Sequence, residues 1–204
     1  MARRNELARD TCRAVLFSVR KTPKRLRKET GRNQDISLYL VQQETDGYQG
    51  FSFPGGGMEE GETHLECVYR AAYEEGIDIP IETRPIAEPV IFSPDMKARF
   101  GFESDHSTYY YLFVKEAYEI HPVAHPEGDV HYIAAFDLAS LPLGEDPSEH
   151  PVLSVKQQLA LHYILMDYDI KCALNYRRIG DVEIDNLLHE LAVLFFPFGR
   201  RLNQ

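Results

Sequence analysis

A glycine triplet followed by a short helix with acidic residues at its end is the part of this chain whose residue types and spacing could do chemistry. Gly55–Gly57 lets the backbone approach a ligand closely. Glu74 and Glu75 fall on the last turn of the predicted helix, where adjacent side chains project about 100° apart. Two carboxylates there can share a cation that faces the glycines, and such oxygen ligands suit Mg²⁺ or Mn²⁺. A hard cation beside a glycine loop indicates phosphoryl or pyrophosphate chemistry.

The segment of residues 51–78 resembles the Nudix box, G-x5-E-x7-R-E-U-x-E-E-x-G-U, in which U is an aliphatic residue. Five positions match in both identity and spacing: Gly56, Glu62, Arg70, Glu74 and Glu75. An aromatic residue, a proline and a glycine just before them resemble the lead-in that is common in that family. The predicted strand order on both sides also agrees with the family fold, so the resemblance covers roughly residues 12–168.

This resemblance implies an enzyme, a pyrophosphohydrolase that cleaves a nucleoside diphosphate derivative with Mg²⁺ or Mn²⁺. The metal ligands of the family, which serve its catalysis, carry over to Glu74 and Glu75, with the Gly55 carbonyl as a third ligand. The box positions that hold the loop and the helix together carry over to Gly56, Glu62 and Arg70.

Two departures from the box bear on activity. Ala71 stands where the family has a glutamate directly after the arginine, so a carboxylate is missing from the predicted metal-facing side of the helix. Gly76 follows the glutamate pair one residue earlier than in the family. In one interpretation a neighbouring acid, such as Glu59 or Glu60, compensates and activity is retained. In the other, the chain is a catalytically degenerate Nudix domain that binds a nucleotide or a protein.

Further candidate residues fall in predicted loops. Glu127 precedes a predicted strand and resembles the additional acid that Nudix enzymes place late in the sheet, as base or metal ligand. Pro94 resembles a proline that accompanies ADP-ribose-type substrates in the family, which favours an ADP-ribose-like or nucleotide-sugar-like substrate. Glu103, in the same loop, is a further candidate for contact with the substrate or for the catalytic acid. Arg25 and Arg27 are candidates for binding the substrate phosphates.

Three histidines with short spacing suggest a zinc cluster: His121, His125 and His131. Pro122 and Pro126 lie between them and favour an irregular surface loop instead. The sequence therefore predicts no zinc site from this spacing.

The charge of the chain is unevenly distributed. Its net charge is −10, yet residues 1–32 contain 11 Lys and Arg against three acidic residues, a net charge of +8. The remainder therefore carries −18, which concentrates divalent cations and disfavours nucleic acid as a partner. The basic segment suits a phosphorylated ligand, and the resemblance implies that this ligand is a small molecule derived from a nucleotide.

The elements that must position these residues are strands with helical spacing between and after them. Predicted strands cover residues 13–19, 35–43, 51–53, 86–92, 108–114 and 130–136, and predicted helices cover residues 63–75, 151–168 and 182–196. Thr63 and Glu66 have the spacing of a capping box at the start of the first helix. This order of strands and helices predicts an α+β fold with a mixed sheet, helices packed on it and a C-terminal helical extension. The resemblance implies that the arrangement is a Nudix-type α/β/α sandwich. Residues 1–169, with the hairpin loop 20–33, are predicted to form the Nudix domain. Residues 170–204 are predicted to pack on that domain or on the partner in a homodimer.

Composition excludes several classes of protein. The 204 residues are 44% hydrophobic and 26% charged, which is typical of one globular domain with an appendage. No apolar run is long enough to span a membrane, and no apolar core of a secretory signal follows the first arginines. The three cysteines are far apart in the sequence and fit a reducing compartment. We therefore expect a cytoplasmic protein with no membrane partner.

Overall fold

The computed structural model describes residues 9–22, 24, 25, 28, 34–45, 48–99, 106–121, 130–137 and 153–173. The strands within these ranges are β1 (Thr11–Lys21), β2 (Gln34–Thr45), β3 (Tyr48–Ser52), β4 (Gly55–Gly57), β5 (Ile77–Asp78), β6 (Val90–Phe92), β7 (Thr108–Lys115), β8 (Glu119–Ile120) and β9 (Val130–Asp137). The helices are α1 (His64–Glu74), α2 (Pro94–Arg99) and α3 (Val155–Ala173).

Seven of these strands form one mixed sheet. Its order is β3–β2–β1–β7–β6, with β4 paired to β1 and β9 paired to β2. Strands β1 and β7 run parallel, whereas the other pairs in the sheet are antiparallel. Strands β5 and β8 pair separately as a short antiparallel ribbon. The mixed sheet with a few helices confirms the predicted α+β class.

Alternating side chains of β1 build a hydrophobic core on each face of the sheet, because successive residues of a strand point to opposite faces. Cys12, Ala14 and Leu16 pack with buried residues of α1. Val15 and Phe17 pack with buried residues of α3 on the other face. A helix therefore covers each apolar face of the sheet, which confirms the predicted helix–sheet–helix sandwich.

Two strand predictions differ from the structure in informative ways. Gly55–Gly57, predicted as a loop, forms β4 and pairs with residues 11–13 of β1. The strand predicted over residues 86–92 is shorter and forms only at Val90–Phe92. Pro89 directly precedes it and has no backbone N–H to donate to a neighbouring strand.

The helix predicted over residues 151–168 is confirmed as α3, which begins at Val155 and continues to Ala173. It therefore passes through the predicted boundary between residues 169 and 170. Residues 174–204, with the helix predicted at 182–196, lie outside the described residues, so the division into domain and extension stays a prediction. None of the described helices has the length and apolar character needed to cross a membrane.

Candidate active site

Helix α1 begins at a capping box and ends at a glycine. The Thr63 hydroxyl accepts a hydrogen bond from Glu66 N at 3.3 Å, and Glu66 Oε2 accepts one from Thr63 N at 2.8 Å, as the spacing predicts. At the other end Gly76 adopts φ +88°, a left-handed conformation that terminates helices. Glu74 is therefore the last helical residue and Glu75 is the C-cap. The early glycine thus ends the helix directly after its acidic pair.

The carboxylate of Glu75 lies against the glycine strand. Gly55 N donates a hydrogen bond of 2.7 Å to Glu75 Oε2. A side chain at Gly55, where φ is +149°, would overlap the Cys12 carbonyl oxygen and lie 2.7 Å from Arg13 Cα. Only glycine fits this place, because β4 presses directly on the backbone of β1. The close approach brings the end of α1 and the glycine strand together.

Arg70 connects α1 to the segment before it through hydrogen bonds. Its Nε and Nη2 donate to the two carboxylate oxygens of Glu62 at 2.8 and 2.9 Å, a bidentate pair. Its Nη2 also donates to the Gly57 carbonyl at 3.0 Å. The guanidinium holds the pKa of the Glu62 carboxyl below its ordinary value. The structure therefore joins two box positions, Glu62 and Arg70, to the glycine strand in one network with Arg70 at its centre.

The two carboxylates at the end of α1 have different partners. Glu74 Oε2 accepts a hydrogen bond from Arg70 Nη1 at 3.0 Å, one turn back on the helix, and its side chain is half exposed. Glu75 instead contacts the Gly55 N–H. Glu75 therefore contacts the glycine strand, and Glu74 contacts Arg70. A metal ion shared by both carboxylates and the Gly55 carbonyl stays a prediction.

Ala71 occupies the position where the family has a glutamate, and it is only 3% exposed. A Cβ at Gly56 would lie 3.2 Å from Ala71 Cβ, so Ala71 packs directly beneath the glycine strand. The acid considered as a substitute, Glu59, has its Oε1 3.8 Å from Arg70 Nη1 and its side chain is 64% exposed. Residue 71 therefore presents a methyl group packed against the glycine strand, where the family has a carboxylate.

Cys67 is a part of this network that the sequence analysis did not connect with the site. Its Sγ lies 3.6 Å from the Gly56 carbonyl oxygen and 3.8 Å from Arg70 Nη2. Cys67 and Cys12 are both buried and carry free thiols, and contact with Cys67 together with burial raises the pKa of Cys12. Cys67 precedes Arg70 by three residues, and this helical spacing could have indicated a shared face.

Two of the remaining predicted site residues lie within the described ranges and three lie outside them. Arg25 is exposed, and Pro94 is exposed at the start of α2, a position where proline's fixed φ suits a helix. The other predicted residues, Arg27, Glu103 and Glu127, lie outside the described residues. Their contact with substrate or with an attacking water stays a prediction.

A second group of ligand-type side chains lies on the β5–β8 ribbon. One ligand atom from each of Asp78, Glu119 and His121 lies within 4.8 Å of the others. His121 therefore has two carboxylates as neighbours. His125, which the spacing suggested as a second histidine ligand, lies outside the described residues. Sequence reasoning missed this group because strand pairing, not local spacing, brings Asp78 and Glu119 together.

Comparison with solved structures agrees with the observed fold. The chain is similar to a bifunctional NMN adenylyltransferase/ADP ribose pyrophosphatase from Francisella tularensis, with 18% identity, a TM-score of 0.50, and coverage of 81% of this chain and 43% of that one. It is also similar to a MutT/nudix family protein from Enterococcus faecalis, with 21% identity, a TM-score of 0.44, and coverage of 67% and 46%. The chain thus spans less than half the length of either protein. The first likeness shows a shared fold.

Comparison with protein families supplies the assignment. No curated protein matches the sequence. The NUDIX domain family matches residues 26–155, which is more than half of the chain and contains the whole predicted box. The match supports the predicted class of enzyme, a pyrophosphohydrolase. The chain therefore belongs to the Nudix family.

Proposed function

We propose that this chain hydrolyses the diphosphate linkage of a nucleoside diphosphate derivative with the help of Mg²⁺ or Mn²⁺. The observation that carries this proposal is the Glu75 carboxylate, which the Gly55 amide holds at 2.7 Å at the edge of a glycine strand. Gly55–Gly57 carries no side chains, so the phosphates of a ligand can approach its backbone closely. A fixed carboxylate beside such a backbone is suited to phosphate chemistry that depends on a cation.

The chemistry of the side chains at this site fits a hard divalent cation. Glu74, Glu75 and the Gly55 carbonyl offer oxygen donors alone, which Mg²⁺ and Mn²⁺ prefer. Hydrogen bonds from Gly55 N and Arg70 orient the two carboxylates before any ligand binds. When bound, the cation would offset the charge of the diphosphate and polarise its phosphoryl oxygens. Residues of the chain would hold it, and Glu127 is the proposed base for the attacking water.

The proposed substrate is an ADP-ribose-like or nucleotide-sugar-like compound. The Francisella tularensis protein of similar fold is described as an ADP ribose pyrophosphatase and was solved with AMP and manganese. In this chain Arg25 and Arg27 would bind the phosphates, while Pro94 and Glu103 would contact the rest of the substrate. The −18 charge of residues 33–204 supports a small molecule over nucleic acid as the partner. We further propose a cytoplasmic location and a homodimer contact through residues 170–204.

A second candidate function is binding without catalysis. Residue 71 is an alanine buried beneath Gly56, and the chain therefore lacks the carboxylate that the family has at this position. Glu74, in turn, forms an ion pair with Arg70. A domain in this state would bind a nucleotide or a protein through the same surface and release no product.

A hydrolysis panel tests the two candidates. The full chain is incubated with ADP-ribose, nucleotide sugars, dinucleotides and nucleoside triphosphates in Mg²⁺ or Mn²⁺, and product release is measured. The proposed hydrolase cleaves at least one diphosphate, and Glu75→Gln abolishes the cleavage. Glu82→Gln, which removes an exposed acid outside the box, four residues past its end, is the matched control and should retain activity.

Substitutions at position 71 then separate the candidates. Ala71→Glu adds the family carboxylate, and Ala71→Gln adds nearly the same volume without charge. If the natural chain cleaves nothing and Ala71→Glu alone creates activity, the natural chain is a binder or acts on a substrate outside the panel. If the natural chain is already active and neither variant exceeds it, a compensating acid is present and the hydrolase proposal stands.

A further inference from the structure

The β5–β8 ribbon carries three side chains whose ligand atoms converge outside the Glu75 site. Asp78 and Glu119 stand directly opposite each other in the antiparallel pair, so both side chains project from the same face. His121 follows β8 directly, and its Nε2 lies 3.5 Å from Asp78 Oδ2. One ligand atom from each residue lies within 4.8 Å of the other two. The group therefore combines two carboxylates and one imidazole in the space of a single ion.

Two features of this group are unfavourable without a cation. Like charges directly opposite each other on paired strands repel, and Asp78 and Glu119 form such a pair. His121 Nε2 is itself shielded from solvent and makes no hydrogen bond among the described residues, although Asp78 Oδ2 lies 3.5 Å from it and the side chain as a whole is 38% exposed. A shielded nitrogen without a hydrogen bond normally costs free energy. A bound cation would resolve both features, because it neutralises the carboxylates and accepts the nitrogen as a ligand.

We propose that Asp78, Glu119 and His121 bind a divalent transition-metal ion of the zinc class. Imidazole nitrogen with carboxylate oxygens is a donor set that zinc takes readily, whereas Mg²⁺ prefers oxygen alone. Three protein ligands leave the fourth tetrahedral position to water. The site differs in donor chemistry from the all-oxygen set of Gly55, Glu74 and Glu75. It does not depend on the proposed hydrolase function.

This position connects the ribbon to the end of α1. The backbone N–H of His121 donates a hydrogen bond of 2.7 Å to the Gly76 carbonyl, directly after the C-cap of α1. The ring of Tyr73, on the last turn of α1, lies 5.5 Å from the His121 ring. An ion at this site would therefore fix the ribbon against the turn that carries Glu74 and Glu75, and it would stabilise the folded chain.

Zinc titration of the metal-free full chain tests the proposal. Tight zinc equivalents are counted by competition with a chromophoric chelator for the natural chain, Glu119→Gln, His121→Gln and Glu116→Gln. The matched control is Glu116→Gln, because Glu116 is an exposed acid three residues from Glu119 that is not part of the group. Glu119→Gln and His121→Gln should weaken one equivalent by at least about tenfold, and Glu116→Gln should not.

Thermal unfolding provides a readout that does not depend on activity. Zinc should raise the Tm of the natural chain and of Glu116→Gln, and it should raise that of Glu119→Gln much less. Glu119 is exposed, so this variant folds in the absence of metal. Glu75→Gln, titrated in parallel, should keep the zinc equivalent, which separates this site from the diphosphate site. The proposal is overturned if the natural chain has no tight equivalent, or if Glu119→Gln and His121→Gln both keep it.

Discussion

Glu75, the C-cap of α1, accepts a hydrogen bond of 2.7 Å from the backbone N–H of Gly55 in β4. This contact joins the end of a helix to a glycine strand 20 residues earlier in the chain. The contact satisfies the hydrogen-bonding capacity of the Gly55 N–H, and it fixes the orientation of the Glu75 carboxylate.

Substitution of Glu75 should separate stability from activity. Glu75→Gln keeps an oxygen that can accept the Gly55 N–H, so the free energy of unfolding should change by less than about 1 kcal/mol. The loss of charge should lower metal-dependent kcat by at least about 100-fold. Glu75→Ala should lose both activity and stability. Urea denaturation measures the change in stability, and steady-state kinetics measure the change in kcat. Equal kcat values for Glu75→Gln and the natural chain would contradict a role for the Glu75 carboxylate in catalysis.

Alanine should destabilise the fold strongly at the first residue of β4 and hardly at all at the last. Gly55→Ala forces a Cβ into the backbone of β1 at a left-handed φ, so we expect destabilisation by about 2–4 kcal/mol. Gly57→Ala meets no atom within 4 Å and should change the free energy of unfolding by less than about 1 kcal/mol. Urea unfolding of both variants measures this difference. Similar free energies of unfolding for the two variants would show that the backbones of β4 and β1 are not too close at Gly55 to accept a Cβ.

The pair of Glu62 and Arg70 should make stability depend on pH. Arg70 lowers the pKa of Glu62 in the folded state below its ordinary value of 4.5. The contribution of the pair is therefore fully present above about pH 4.5 and is lost as the pH falls through the folded pKa. At pH 7 Glu62→Gln should be less stable than the natural chain by about 1–2 kcal/mol, a value reduced for the partial exposure of Arg70.

Unfolding free energies of the natural chain and Glu62→Gln, measured from pH 7 to pH 3, test this dependence. The difference between them should narrow as the pH falls below 4.5. The pKa of Glu66 is also lowered, by its bonds to Thr63, but both proteins contain Glu66 and its effect cancels. A difference that stays constant over the whole range would exclude an ionised pair.

The capping box of α1 should contribute a measurable part of stability. Thr63→Ala removes the hydroxyl that accepts the Glu66 N–H, so we expect a loss of about 1 kcal/mol in the free energy of unfolding. Thr63→Ser keeps a hydroxyl at the same place and is the matched control. Denaturant unfolding compares the three proteins. If Thr63→Ala is as stable as Thr63→Ser, the box does not stabilise this helix.

Local spacing in the sequence was sufficient to predict the parts of the site that lie within one element. The capping box and the helix from Thr63 to the glutamate pair follow from residues three or four positions apart. An apolar run with β-branched residues likewise predicted β1, and apolar alternation predicted β2. Such features depend on periodicity that a helix or strand imposes wherever it lies.

Tertiary packing decided which groups from distant segments meet. Glu74 accepts a hydrogen bond from Arg70 and Glu75 accepts one from Gly55, because side chains at adjacent helical positions point in different directions. The burial of Ala71 depended on β4 pressing against β1, and the group on the ribbon depended on the pairing of β5 with β8. Sequence determined the elements and their chemical groups, whereas strand pairing and close packing between elements determined the contacts of those groups.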